Sequence, residues 1–152
     1  MTAVPAGFER LDSISPFHDL VGPLYVKRAP GEVSVGMIVA EKHLNSRGIV
    51  HGGMICTLVD FAMGYAARFA SDPPRALVTT NLSVDFAGNA RIGDWIEAHV
   101  DVLRPGRQIA FVNCFVHHDG VRIARGSGTF LVVKLRSQRD ALSAPDGRFD
   151  PL

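Results

Sequence analysis

The stretch that most constrains this chain begins at Gly52 and ends near Ser71, long enough for a helix and apolar almost throughout. Met54, Ile55, Leu58, Val59, Phe61, Ala62, Met63, Tyr65, Ala66 and Phe69 leave no continuous polar stripe. A helix that is apolar all round is normally buried. Yet Asp60 sits in its middle, and no Lys or Arg precedes Arg68 to pair with it. A buried carboxylate without a partner costs several kcal/mol, so a sequence seldom keeps one without a use for it. Asp60 is therefore the candidate chemical centre.

The flanking sequence predicts what surrounds that helix. Asp72-Pro73-Pro74 forbids its continuation. Before it, Pro16 to Gly22 reads as a short helix closed by glycine, and residues 24–28 and 32–39 read as two strands joined at Pro30-Gly31. Residues 1–15 carry no clear period and are expected to be poorly fixed. After the helix, alternation of period two takes over. In the run 77–86, Val78, Thr80, Leu82, Val84 and Phe86 share one face, and Thr79, Asn81, Ser83 and Asp85 the other. Further strands follow over 95–102, 108–116 and 121–134, separated by Pro105-Gly106 and by Asp119-Gly120, the strongest hairpin signal in the chain. Gly126 and Gly128 mark bulges or close packing within the last strand. Sequential hairpins make an antiparallel sheet, and an apolar helix needs cover on most sides. The expectation is an α+β fold, a curved antiparallel sheet wrapped round one long helix. It forms a single domain over 1–152 with its core at about 17–134 and a loose polar tail at 137–152.

Several function classes are excluded by what the chain lacks. A formal net charge of +1 implies no bulk attraction to nucleic acid or membranes. The apolar runs, interrupted by Asp60, Gly64 and Arg68, are too short for a membrane span. The N-terminus lacks the basic and apolar regions of a signal peptide. Cys56 and Cys114 read as buried thiols, which suits a cytoplasmic, reducing setting. His117 and His118 would point to opposite faces of a strand, a poor metal chelate, so no metal ligands are expected. There is neither a G-x-S-x-G nucleophile elbow nor a G-x-G-x-x-G after a strand.

The start of the helix offers complementary chemistry. Gly52 and Gly53 fall where backbone N–H groups have no intrahelical acceptor and the helix dipole is positive. Such a position suits a developing oxyanion, with His51 and Asn45 beside it. Asp60, however, lies eight residues after Gly52, about 12 Å along the axis. A base that far away cannot serve the same carbonyl. Two copies of the helix lying antiparallel would bring Gly52 of one beside Asp60 of the other, so a site built across a two-fold dimer is predicted.

The pattern Leu44-Asn45-x-x-Gly48-x-x-His51-Gly52-Gly53, with Asp60 following, resembles the hotdog-fold acyl-CoA thioesterases. It is most similar to the branch typified by the phenylacetate-pathway thioesterase. The likeness continues through residues 77–86, Gly93-Asp94, Arg104 to Arg107 and Gly126 to Thr129, covering roughly 17–134. The resemblance implies hydrolysis of an acyl-CoA to a free acid and coenzyme A, with no cofactor. It gives Asp60 the role of general base or nucleophile and Gly52 that of carbonyl-polarising N–H. Asn45 and His51 would stand near the thioester and water, and Thr79 would assist from the strand, with Thr80 chosen instead by a one-residue shift. It also implies homodimers that pair into tetramers. Two features depart from the family pattern: Ala87-Gly88-Asn89-Ala90 where a proline is common, and the bulk of Phe61 and Tyr65 beside the carboxylate. Phe61, Met63 and Tyr65 would suit an aromatic or medium-chain acyl group. A hotdog dehydratase or hydratase and a non-catalytic acyl-CoA-binding module are the alternatives.

Overall fold

The structure is a computed structural model describing residues 3–12 and 15–134. The expected tail at 137–152 lies outside the described residues. Its long helix, α2, spans Gly52–Phe69. His51 caps it, its Nδ1 accepting from the Gly53 N–H at 2.8 Å. Met54, Ile55, Leu58, Val59, Ala62, Met63, Ala66 and Ala67 form its buried face. The expectation of burial on all sides is corrected: Thr57, Asp60, Phe61, Gly64 and Tyr65 are only half-buried and Arg68 and Phe69 are exposed, which leaves one stripe of the helix uncovered.

Among the described residues seven antiparallel strands form one sheet around that helix: β1 (Glu9–Arg10), β2 (Tyr25–Ala29), β3 (Glu32–Ile38), β4 (Ala76–Phe86), β5 (Trp95–Pro105), β6 (Ile109–His118) and β7 (Val121–Val133). Their spatial order is β1-β2-β3-β5-β6-β7-β4. A short helix, α1 (Pro16–Val21), precedes β2, with Ser15 as its N-cap. α2 packs against β3, β4, β5, β6 and β7, the helix-in-sheet arrangement expected from the sequence. At the β6–β7 turn Asp119 and Gly120 both take positive φ, 47° and 74°, as a two-residue hairpin of this hand requires.

Gly126 and Gly128 prove to be close-packing points, with regular register to β4 on either side. A Cβ on Gly126 would lie 2.5 Å from Val59 Cγ1, and one on Gly128 would lie 2.9 Å from Met63 Cε. The missing side chains let α2 settle onto β7, and Val59 and Met63 are fully buried as a result.

Three expectations change. The segment before residue 15 is not wholly irregular, because Glu9 and Arg10 pair with Val26 and Tyr25. Phe8 anchors that segment, its ring edge-on to Trp95 with centroids 4.9 Å apart. Cys114 is buried, and burial pushes its thiol up to about 12, but Cys56 is only half-buried. The alternation in β4 is broken by a register shift between Thr79 and Asn81. Leu77, before the break, and Leu82 and Val84, after it, all pack against the core. The extra residue, Thr80, changes the phase of the strand, so Thr79 joins the face that looks at α2.

Candidate active site

Asp60 and Thr79 meet across the α2–β4 contact. The Thr79 hydroxyl donates to Asp60 Oδ1 at 2.8 Å. The Thr80 hydroxyl turns the other way, to the Thr129 carbonyl at 3.0 Å and the Thr129 hydroxyl at 2.9 Å. The bulge thus separates two adjacent threonines, and it is Thr79 that touches the carboxylate. A hydrogen bond to a charged acceptor contributes about 1.5–3 kcal/mol and fixes which carboxylate oxygen stays free.

Asp60 opens onto a cavity of about 540 Å³, whose lining includes His18, Phe61, Tyr65, Phe69, Leu77 and Phe130. Phe61, Tyr65 and Phe69 follow one another at four-residue spacing, with ring centroids 5.7 and 4.8 Å apart. The Tyr65 hydroxyl accepts from Arg28 Nε at 3.0 Å and also from Nη2. Asp12, Asp60 and Arg68 bring charge to the lining, beside the aromatic and aliphatic groups.

The other predicted residues stand at the start of α2. His51 is exposed, its Nδ1 occupied by the Gly53 N–H. The Gly52 N–H has no acceptor among the described residues, and a Cβ on Gly52 would lie 3.4 Å from the Phe86 ring. Asn45 knits the preceding loop: its Oδ1 accepts from the N–H groups of Arg47 at 2.9 Å and Ile49 at 3.4 Å. Its own N–H donates to the Ile49 carbonyl at 2.8 Å. The structure so brings Asp60 to Thr79 and sets His51 beside Gly52, with Asn45 holding the preceding loop together, but leaves Gly52 and Asp60 eight residues apart along one helix.

Two histidines near the site carry no signal in the sequence pattern. His43 is 3% exposed. Its Nδ1 accepts from the Ala40 N–H at 2.9 Å and its Nε2 donates to the Val21 carbonyl at 2.7 Å, which fixes its tautomer. Its own carbonyl accepts from the His51 N–H at 2.7 Å, so a buried ring positions the residue that caps α2. Burial holds the His43 imidazole below its ordinary value, against the opposing pull of the Val21 carbonyl. His18, on α1, lies edge-on to Phe61 with centroids 4.4 Å apart. Burial lowers it too, although Asp19 and Asp60 act to raise it. A reach of tens of residues separates His18 from Asp60 in sequence, so no local pattern signals their proximity. Among the described residues no group of three or more His, Cys, Asp or Glu side chains could hold a metal ion, and no helix is long and apolar enough to cross a membrane.

The chain is similar to known proteins. The family model of the thioesterase superfamily matches residues 47–124, which include Gly52, Asp60 and Thr79. A Pseudomonas aeruginosa protein named "putative esterase" is 40% identical over 131 residues, covering 86% of this chain and 98% of its own. Human acyl-coenzyme A thioesterase 13 is 31% identical over 106 residues, covering 68% of this chain and 75% of its own. The solved structure of a mutant phenylacetic acid degradation protein from Thermus thermophilus superposes with a TM-score of 0.66 at 29% identity, covering 77% of this chain and 98% of that one. The chain belongs to the thioesterase superfamily, adopts the hotdog fold and is a thioester hydrolase.

Proposed function

We propose that the protein hydrolyses acyl-CoA thioesters at two identical sites, each built from the Gly52 end of one α2 and Asp60 of the partner subunit. The observation that carries this reading is the Asp60–Thr79 pair, set on the uncovered stripe of α2 at the mouth of an apolar cavity. Asp60 takes a proton from water as the oxygen adds to the thioester carbonyl carbon. The Gly52 N–H, aided by the helix dipole, receives the resulting oxyanion. Collapse expels the coenzyme A thiolate, which takes up the proton, and leaves the free acid. Thr79 steadies Asp60, His51 and Asn45 shape the loop that presents Gly52, and no cofactor enters the reaction.

Assembly across a two-fold axis is supported by the spacing of Gly52 and Asp60 and by β4. Among the described residues nothing pairs with the outer edge of β4, an 11-residue strand that runs beside α2 from Thr79 at Asp60 to Phe86 at Gly52. A long unpaired edge is a natural place for a second copy to add its own strand. The resemblance to human acyl-coenzyme A thioesterase 13 supports coenzyme A as the thiol. Aromatic lining favours an aromatic or medium-chain acyl group. Thiol release measured over aromatic, short and long acyl-CoAs tests the reading. Thiol must appear with at least one class, and hydration of an enoyl-CoA without thiol release would replace the hydrolase by a hydratase.

A further inference from the structure

We propose that the His18–Phe61 ring pair is a stop that limits the length of the acyl group, an inference that rests on the acyl-CoA thioesterase reading of the same site. The cavity that Asp60 and Thr79 line is not isolated. A second cavity, of about 410 Å³, lies beyond it, and the two share Leu11, Asp12, His18 and Phe61 as lining while Asp60 and Thr79 belong only to the first. His18 and Phe61 are the ring-bearing part of that shared boundary, with ring centroids 4.4 Å apart and planes at 67°. Edge-to-face rings at that distance leave no passage for a methylene chain.

The wall is braced on both sides. Phe61 follows Asp60 directly on α2, so the partition starts beside the reacting carbonyl. His18 Nδ1 lies 3.1 Å from the Ser15 hydroxyl, and that hydroxyl also accepts from the His18 N–H at 3.3 Å as the cap of α1. Lys42 ties the end of α1 down through the carbonyls of Leu20 and Gly22 at 2.8 and 2.6 Å. The space behind the wall lacks Tyr65, Phe69, Leu77 and Phe130, which line the Asp60 side, and adds Arg10 and Asp19 beside Pro23 and Leu24. A compact acyl group is thus accepted on the Asp60 side, and a longer one meets a rigid ring pair before it can reach the second space.

The test is a ladder of acetyl-, butyryl-, octanoyl- and palmitoyl-CoA, read as kcat/KM for the full chain and for His18→Ala, Phe61→Leu and His18→Phe. The wild type should decline from octanoyl to palmitoyl. His18→Ala and Phe61→Leu should each raise the palmitoyl-to-octanoyl ratio roughly tenfold or more, the scale on which a pocket reads added methylenes. His18→Phe, which keeps a ring against Phe61, should restore the wild-type ratio. A merely structural role would scale all four substrates together, and parallel profiles in both opening variants would overturn the proposal. If the wild type releases no thiol from any acyl-CoA, the hydrolase reading fails instead. Binding of octanoyl- and palmitoyl-CoA to the same proteins then decides the stop, and an unchanged affinity ratio in both opening variants overturns it.

Discussion

The two faces of α2 obey different rules. On the inner face Leu58, Val59, Ala62 and Met63 are wholly buried, and even the absence of a Cβ at Gly126 and Gly128 is used to bring β7 closer. On the outer face, one residue from Val59, Asp60 is half-exposed, bonded to Thr79 and open to a cavity. The inner face is complete within one chain. In the proposed mechanism the outer face has its base but not its oxyanion donor, and among the described residues the strand beside it ends the sheet without a neighbour. Stability is settled on one side of the helix, and in the proposed mechanism chemistry on the other requires a second copy.

Substitutions on the two faces should separate along that line. Asp60→Asn keeps the shape and the Thr79 contact but removes the base. Turnover should fall by roughly 10²–10⁴ with an unchanged urea midpoint, and a folded Asp60→Asn protein with full activity would end the assignment. Gly126→Val should do the reverse. Its side chain would press into Val59, and overpacking of this kind costs about 1–3 kcal/mol, visible as a lowered urea midpoint.

Smaller effects sharpen the contrast within the outer face itself. Thr79→Val removes the donor to Asp60 and should lower kcat/KM roughly tenfold. Thr80→Val, whose hydroxyl serves Thr129, should leave the rate close to wild type. Equal losses at both positions would show that the bulge does not divide their roles. The smallest effect expected is on pH dependence, through His43. Because burial lowers its folded value, the unfolded chain binds a proton first as pH falls below the ordinary value of 6.5. Stability should hold above that value and decline as pH drops from it toward the folded value. His43→Gln should flatten that part of the curve while His18 and His117, which burial also lowers, retain theirs.

The sequence made the inner face easy to read, because apolar content, turn residues and alternation report burial directly. Asp60 was legible for the opposite reason, as a violation of that pattern. Its half-burial was not legible, since a monomer's sequence records that Phe61 and Tyr65 are apolar but not which side of the helix the sheet leaves bare. Thr79 and Thr80 could not be ranked by alternation, because one unpaired residue reverses the phase of β4 and leaves no compositional trace. The Glu9–Arg10 strand leaves no trace in the sequence because two polar residues carry no period, and Phe8 on Trp95 holds them there. His43 and His18 act through contacts to distant segments, the Val21 carbonyl and the Phe61 ring, that no local motif encodes.

The division of one site between two chains is tested most directly by mixing two inactive proteins. Asp60→Ala removes the base. Gly52→Pro removes the N–H at the first helical position, where proline is tolerated. His51, at φ −67° and ψ 137°, already has the extended backbone that a following proline requires. Each variant alone should be inactive. After unfolding and refolding together, half of randomly paired dimers are mixed, and each holds one intact site, so roughly one quarter of the wild-type activity should return. Mixed dimers that form and yet recover no activity would contradict a site shared between Gly52 of one subunit and Asp60 of its partner.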